Sequence, residues 1–204
     1  SFNTRTEVGD AISAAGFNVV LQSSNHTIDQ GLDGLLHCVS YWEENHPDIM
    51  ICGIRGEAEE DPEIQTMEIE GVTFAFLNYT YGPNLGSFPS QYEGYMDILC
   101  YYDENNRMLD FTRINPDVLE DIEEADKIAD VVVVCPHWGT EYMTKQSSYQ
   151  ETFALQMTEA GADLIIGTHP HVVQPVTYVE SENGNKSLCY YSLGNYVSTQ
   201  KEIA

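Results

Sequence analysis

The stretch Val131-Val132-Val133-Val134-Cys135-Pro136-His137-Trp138-Gly139 decides the fold class. Five successive apolar residues without polar alternation read as a strand buried on both faces, the pattern of a sheet covered by helices. Asp163-Leu164-Ile165-Ile166-Gly167 repeats the pattern and runs into Thr168-His169-Pro170-His171. Phe17-Asn18-Val19-Val20-Leu21 does so a third time, leading through Gln22-Ser23-Ser24 to Asn25-His26. In open α/β sheets the ligand crevice lies beyond the carboxyl ends of the strands. Four of the six histidines occupy three equivalent places of that kind.

Between these runs the chain alternates helical and strand patterns, which predicts an α/β fold. Helices are expected over Glu7–Ala15, Asp29–Asn45, Asn115–Asp130 and Ser148–Ala160. The second has Leu32, Leu35, Leu36, Val39 and Trp42 at helical spacing. The third opens on Asn115-Pro116-Asp117, a capping signal, and the fourth closes at Gly161. Further strands are expected at Asp48–Cys52 and Ile98–Tyr102, with Met67–Ile69 and Val72–Tyr79 as a hairpin about Glu70-Gly71. Gly82–Tyr92 reads as loop. Val172–Val179, Ser187–Tyr191 and Asn195–Ser198 read as a closing group of strands. No linker or repeat divides the sequence, so residues 1–204 read as a single domain.

Composition narrows the function. Thirty-three Asp and Glu against eight Lys and Arg give a formal charge of −25, which repels phosphate backbones and excludes nucleic acid as a partner. The longest apolar run falls far short of the ~20 residues of a membrane helix, and the first residues show no signal peptide. The chain does not begin with Met, so it reads as a processed or trimmed piece. Five cysteines without a C-x-x-C pair argue against a disulfide framework or a cysteine zinc site.

Pro170 disfavours helical geometry at His169, and an extended His-Pro-His would turn both imidazoles to one side, Cα atoms roughly 6–7 Å apart. That span suits one metal, or one each of two metals about 3.5–4 Å apart. Taken alone, the tripeptide is more often a proline loop with solvated histidines; the placement after buried strands reverses that reading to a site. His137 follows the longest buried run. Asn25 is either a cap or a hard oxygen ligand, and His26 beside it can supply a proton. Glu141 is either a solvated carboxylate or a partner that orients a histidine. His37 and His46 lie on or at the end of a helix and read as structural.

Four blocks then carry a family resemblance: Ser24-Asn25-His26-Thr27-Ile28-Asp29-Gln30-Gly31, His137-Trp138-Gly139-Thr140-Glu141-Tyr142, Gly161 through His171, and Tyr191-Ser192-Leu193-Gly194-Asn195-Tyr196. In order and spacing they resemble the CapA family of poly-γ-glutamate capsule biosynthesis proteins, whose fold is related to calcineurin-like metallophosphoesterases. The resemblance implies a metallophosphoesterase-like four-layer α/β/β/α sandwich with a dinuclear metal site at the strand ends. It implies two divalent cations (Mn, Fe or Zn), with Asn25, His137 and His169 binding one and His171 the other. His26 matches the general acid, and Glu141, Asp29 and Asn195 match motif positions. It also implies a location at the cell surface or outside the cell, with membrane anchoring in a longer protein.

The departures are specific. The family opens with a Gly-Asp strand end and a later Asn-Leu-Glu segment that supply acidic ligands, and neither occurs here. Gly9-Asp10 falls in a helix, Ser24 replaces an Asn, and Thr168 stands where another His or a small residue is common. The sequence therefore reads as a partial domain without its N-terminal strands. The expected activity is that of a metal-dependent hydrolase taking an anionic small molecule or envelope polymer. The alternatives are a non-catalytic surface module assisting polymer assembly or export, and a general phosphatase or nucleotidase.

Overall fold

The structure, a computed structural model, describes residues 3–59, 62–85, 87–103 and 105–198. The chain runs α1 (Glu7–Ala14), β1 (Val19–Leu21), α2 (Gly31–Asn45), β2 (Met50–Cys52), β3 (Thr66–Ile69), β4 (Val72–Thr80) and a 3₁₀ turn at Ser90–Tyr92. It continues through β5 (Cys100–Tyr102), β6 (Leu109–Ile114), α3 (Pro116–Ile128), β7 (Val131–His137), α4 (Ser148–Ala160), β8 (Leu164–Ile166), β9 (Val176–Glu180) and β10 (Lys186–Tyr190).

Six strands form one mixed sheet in the order β3-β4-β7-β8-β10-β9. The Val131 run is its interior: β7 pairs parallel with β4 from Phe74↔Val131 to Thr80↔His137, and parallel with β8 through Val133↔Leu164. Helices α3 and α4 pack together over this sheet, burying Val118, Ile122, Ala125, Phe153, Ala154 and Met157 against Ala75, Val132, Val134 and Ile165. Each helix starts where its cap dictates. Asn115 accepts the Asp117 amide ahead of Pro116, and Ser147 with Gln150 forms a reciprocal capping box. A separate parallel pair, β1 with β2, is covered by α2 through a second core of Leu35, Val39, Ile54, Met96 and Ile98. The result is an α/β fold of the metallophosphoesterase-like kind, with helices over the six-stranded sheet and over the β1–β2 pair.

Three expectations change. Leu109–Ile114, not anticipated as a strand, pairs with β5 across a register shift at Cys100/Tyr101. Asn195–Ser198 is not a strand, and the expected Val172–Val179 strand begins only at Val176; Val173 meets Leu193 in an isolated bridge. Residue 86, inside the expected Gly82–Tyr92 loop, lies outside the described residues, as do the two ends of the expected 1–204 domain. All five cysteines are free. Among the described residues no helix is long and apolar enough to cross a membrane.

Candidate functional site

The parallel register brings the strand ends together. β7 ends at His137, which bridges to Thr168 just past β8, so both histidine loops leave the sheet at one level. The third loop arrives from β1, held by the Asn78 side chain, which accepts the Ser23 amide and donates to the Cys135 carbonyl. From there a succession of tight turns (Thr27 N–H to Ser24 O, Asp29 N–H to His26 O) places Asn25 and His26 over the end of β7.

Ring centroids of His137 and His169 lie 4.9 Å apart, and those of His169 and His171 6.1 Å apart. The amide oxygen of Asn25 lies 3.0 Å from His137 Nε2, while His137 Nδ1 meets Thr168 Oγ1 at 3.0 Å. Thus Asn25, His137, His169 and His171, expected together, are together. The convergence is not achieved by extended backbone. His169 has φ +94° and His171 φ +62°, so each imidazole is aimed by a left-handed kink, a conformation costly for residues with a Cβ.

Neighbours fix the other rings. Asp29 Oδ2 lies 3.0 Å from His26 Nδ1 and accepts its N–H, setting the ring's rotation. Asn195 Oδ1 does the same for His171 Nδ1 at 3.0 Å, and Tyr142 stacks on that ring at 5.7 Å. The backbone N–H of Tyr142 donates to the Pro170 carbonyl. Buried Gln174 donates to the Met143 and Lys145 carbonyls and accepts from buried Gln150, which pins the loop carrying Tyr142. Glu141, on the same loop, is exposed; its charge is felt by Tyr81, whereas ring nitrogens of His26, His137 and His171 are met by Asp29, by Thr168 and Asn25, and by Asn195. His46 bonds Asp10 and Tyr41 far along α1 and α2, so Asp10 serves that junction.

Electrostatics make the inner rings neutral. Burial, then repulsion from His169, His171 and His26, pushes His137 down to about 3; burial, then His171 and His26, pushes His169 down to about 4. Both therefore offer imidazole lone pairs rather than cations at neutral pH. Among the described residues no three His, Cys, Asp or Glu side chains are gathered closely enough to hold an ion unaided. Asn25 adds an amide oxygen to these rings, 3.0 Å from His137 Nε2, the separation of an N–H···O hydrogen bond. Two clefts of about 680 and 610 Å³ share Arg55, Tyr79, Asp97 and Asp121 and touch none of the histidines, so donor chemistry rather than volume marks the site.

Sequence reasoning missed Tyr81 and Asn84. Tyr81 stacks on His137 with planes 11° apart and packs 4.9 Å from His169; its hydroxyl donates to Asn84 Oδ1, which also accepts from the Asn25 amide nitrogen at 3.0 Å. Both follow the carboxyl end of β4, the parallel neighbour of β7, so the strand-end rule that found the histidines could have found them.

The α/β fold, with its histidine loops at the parallel strand ends, is of the metallophosphoesterase-like kind. Residues 1–200 match the family described as bacterial capsule synthesis protein PGA_cap, and the chain belongs to that family. It is 29% identical over 198 residues to the PGA biosynthesis protein CapA of Bacillus subtilis (strain 168), covering 97% of this chain and 47% of that protein. To the capsule biosynthesis protein CapA of Bacillus anthracis it is 31% identical over 204 residues, covering 97% of this chain and 44% of that protein. The chain spans less than half the length of these curated relatives.

Proposed function

We propose that this chain is the metal-dependent hydrolytic unit of a capsule biosynthesis protein working at the cell envelope, with poly-γ-glutamate metabolism as its setting. One observation carries the reading: the Asn25 oxygen and His137 Nε2 stand 3.0 Å apart beside the neutral His169 ring. Divalent cations would be held by Asn25, His137 and His169, with His171 alongside. When bound, they supply electrophilic activation of the ester and of the attacking water.

The chain's own groups do the rest. Asn25 and His137 orient one edge of the site, and Thr168 holds the far nitrogen of His137. His26, its Nδ1 tied to Asp29, presents Nε2 as the proton donor to a departing alkoxide. An anionic phosphate ester, or an anionic envelope polymer, is the substrate class the cationic centre would draw in. The formal charge of −25 opposes such a substrate away from that centre.

The test is turnover of nitrophenyl phosphate by the chain loaded with Mn²⁺ or Zn²⁺, alongside His169→Ala. Turnover lost in the variant supports the hydrolase. Metal bound without turnover of several esters would turn the reading to a non-catalytic assembly module. Indiscriminate turnover of nucleotides would point to a general phosphatase.

A further inference from the structure

A carboxamide is two-faced: rotation by 180° exchanges its acceptor oxygen for a donor NH₂ with little change in shape. Asn25 is 3% exposed, so water does not choose its orientation; its neighbours do. On one side lies His137 Nε2 at 3.0 Å, on the other Asn84 Oδ1 at 3.0 Å. The Asn84 oxygen is committed twice, accepting from Asn25 Nδ2 and from the Tyr81 hydroxyl at 3.2 Å. The Tyr81 ring cannot drift, because it is stacked on His137 and packed on His169.

We infer that Asn84 and Tyr81 are positioning residues that lock the Asn25 carboxamide with its oxygen toward His137. The inference deepens the proposed metal site and rests on that reading for its binding arm. With the amide locked, a cation meets an oxygen beside His137 Nε2; with the amide reversed, it meets two N–H bonds and is repelled. In the metal-free chain the same lock dictates the His137 tautomer. An oxygen at 3.0 Å requires Nε2–H, with Nδ1 accepting from the Thr168 hydroxyl.

Two readouts on the full chain test this: long-range ¹H–¹⁵N NMR of the His137 ring with chelator present, and calorimetric Zn²⁺ titration. The chains compared are wild type, Asn84→Leu, Asn84→Asp and Tyr81→Phe. Asn84 is exposed, so its replacement leaves both cores intact. Wild type should show the Nε2–H tautomer. Asn84→Leu should show a mixture and bind Zn²⁺ about 10–100-fold more weakly, the usual penalty for losing a group that orients a ligand. Asn84→Asp, which can only accept, should keep the wild-type tautomer and affinity, and Tyr81→Phe should fall between. An Nδ1–H tautomer in wild type, or Asn84→Leu indistinguishable from wild type in tautomer, would overturn the inference. If wild type binds no Zn²⁺, the proposed metal site fails, while the tautomer comparison still decides the orientation of Asn25.

Discussion

His26 and His169 sit within one cluster yet have different surroundings. His26 is tied to a carboxylate and partly open to solvent, while His169 is buried between rings. His26→Ala should therefore leave metal content near wild type. It should slow an alkyl phosphate by ~10²–10⁴-fold and a nitrophenyl phosphate much less, since that leaving group scarcely needs a proton. Equal slowing of both esters, or an emptied metal site, would remove His26 from the acid's role. The left-handed kinks give a second residue-scale outcome. At His171, φ +62°, a glycine variant should be more stable than an alanine variant by about 1 kcal/mol, because only glycine adopts that φ without steric cost. Urea titration of His171→Gly against His171→Ala measures it, and alanine the more stable of the two would contradict the strained backbone.

At the scale of elements, the end of β8 is the tightest joint of the site. Gly167 lies where a Cβ would fall on the Tyr191 carbonyl oxygen and the Trp138 indole nitrogen, two atoms already bonded to one another at 2.9 Å. Gly167→Ala should lower stability by about 1–3 kcal/mol and displace His169, two residues on. Denaturation and metal titration of that variant read both effects. The sheet interior was legible in the sequence because β7 and β8 are continuous apolar runs, and α4 because its caps are local chemistry. β6 was not: Leu109–Ile114 exposes much of its length and is a strand only because β5 pairs with it. Asn195–Ser198 misled in the opposite direction, since Tyr196 and Val197 are β-formers left almost fully exposed, with no strand among the described residues to receive them. The histidine cluster was legible through strand-end placement. Its aiming was not, because the positive φ values at His169 and His171 follow from tertiary contacts, and no signal local to His-Pro-His announces them. Asn84 and Gln174 were hidden for the same reason: an amide's role depends on which distant partner the fold delivers.

The whole molecule carries the cost of keeping two histidines neutral. Their folded pKa values, about 3 and about 4, lie below the ordinary 6.5. As pH falls below about 6.5, the unfolded chain takes protons that the folded chain refuses, so their stability contribution is full above that pH. It drains away as pH falls toward 4. For the metal-free chain a loss of roughly 1–2 kcal/mol per histidine is expected between pH 7.5 and 5, measurable as a falling urea midpoint. A midpoint flat across that interval would show that the rings are not buried as neutral groups. The acidic surface adds a kinetic effect: turnover of an anionic ester should rise between 10 and 150 mM salt as repulsion is screened over a Debye length of about 8 Å. Beneath all of these lies the claim that Asn25, His137 and His169 hold a divalent cation, and calorimetric Zn²⁺ titration of wild type beside His137→Ala at pH 7.5 addresses it most directly. Saturable binding in wild type that His137→Ala abolishes is the expected result; no binding by wild type, or equal binding by both, would contradict it.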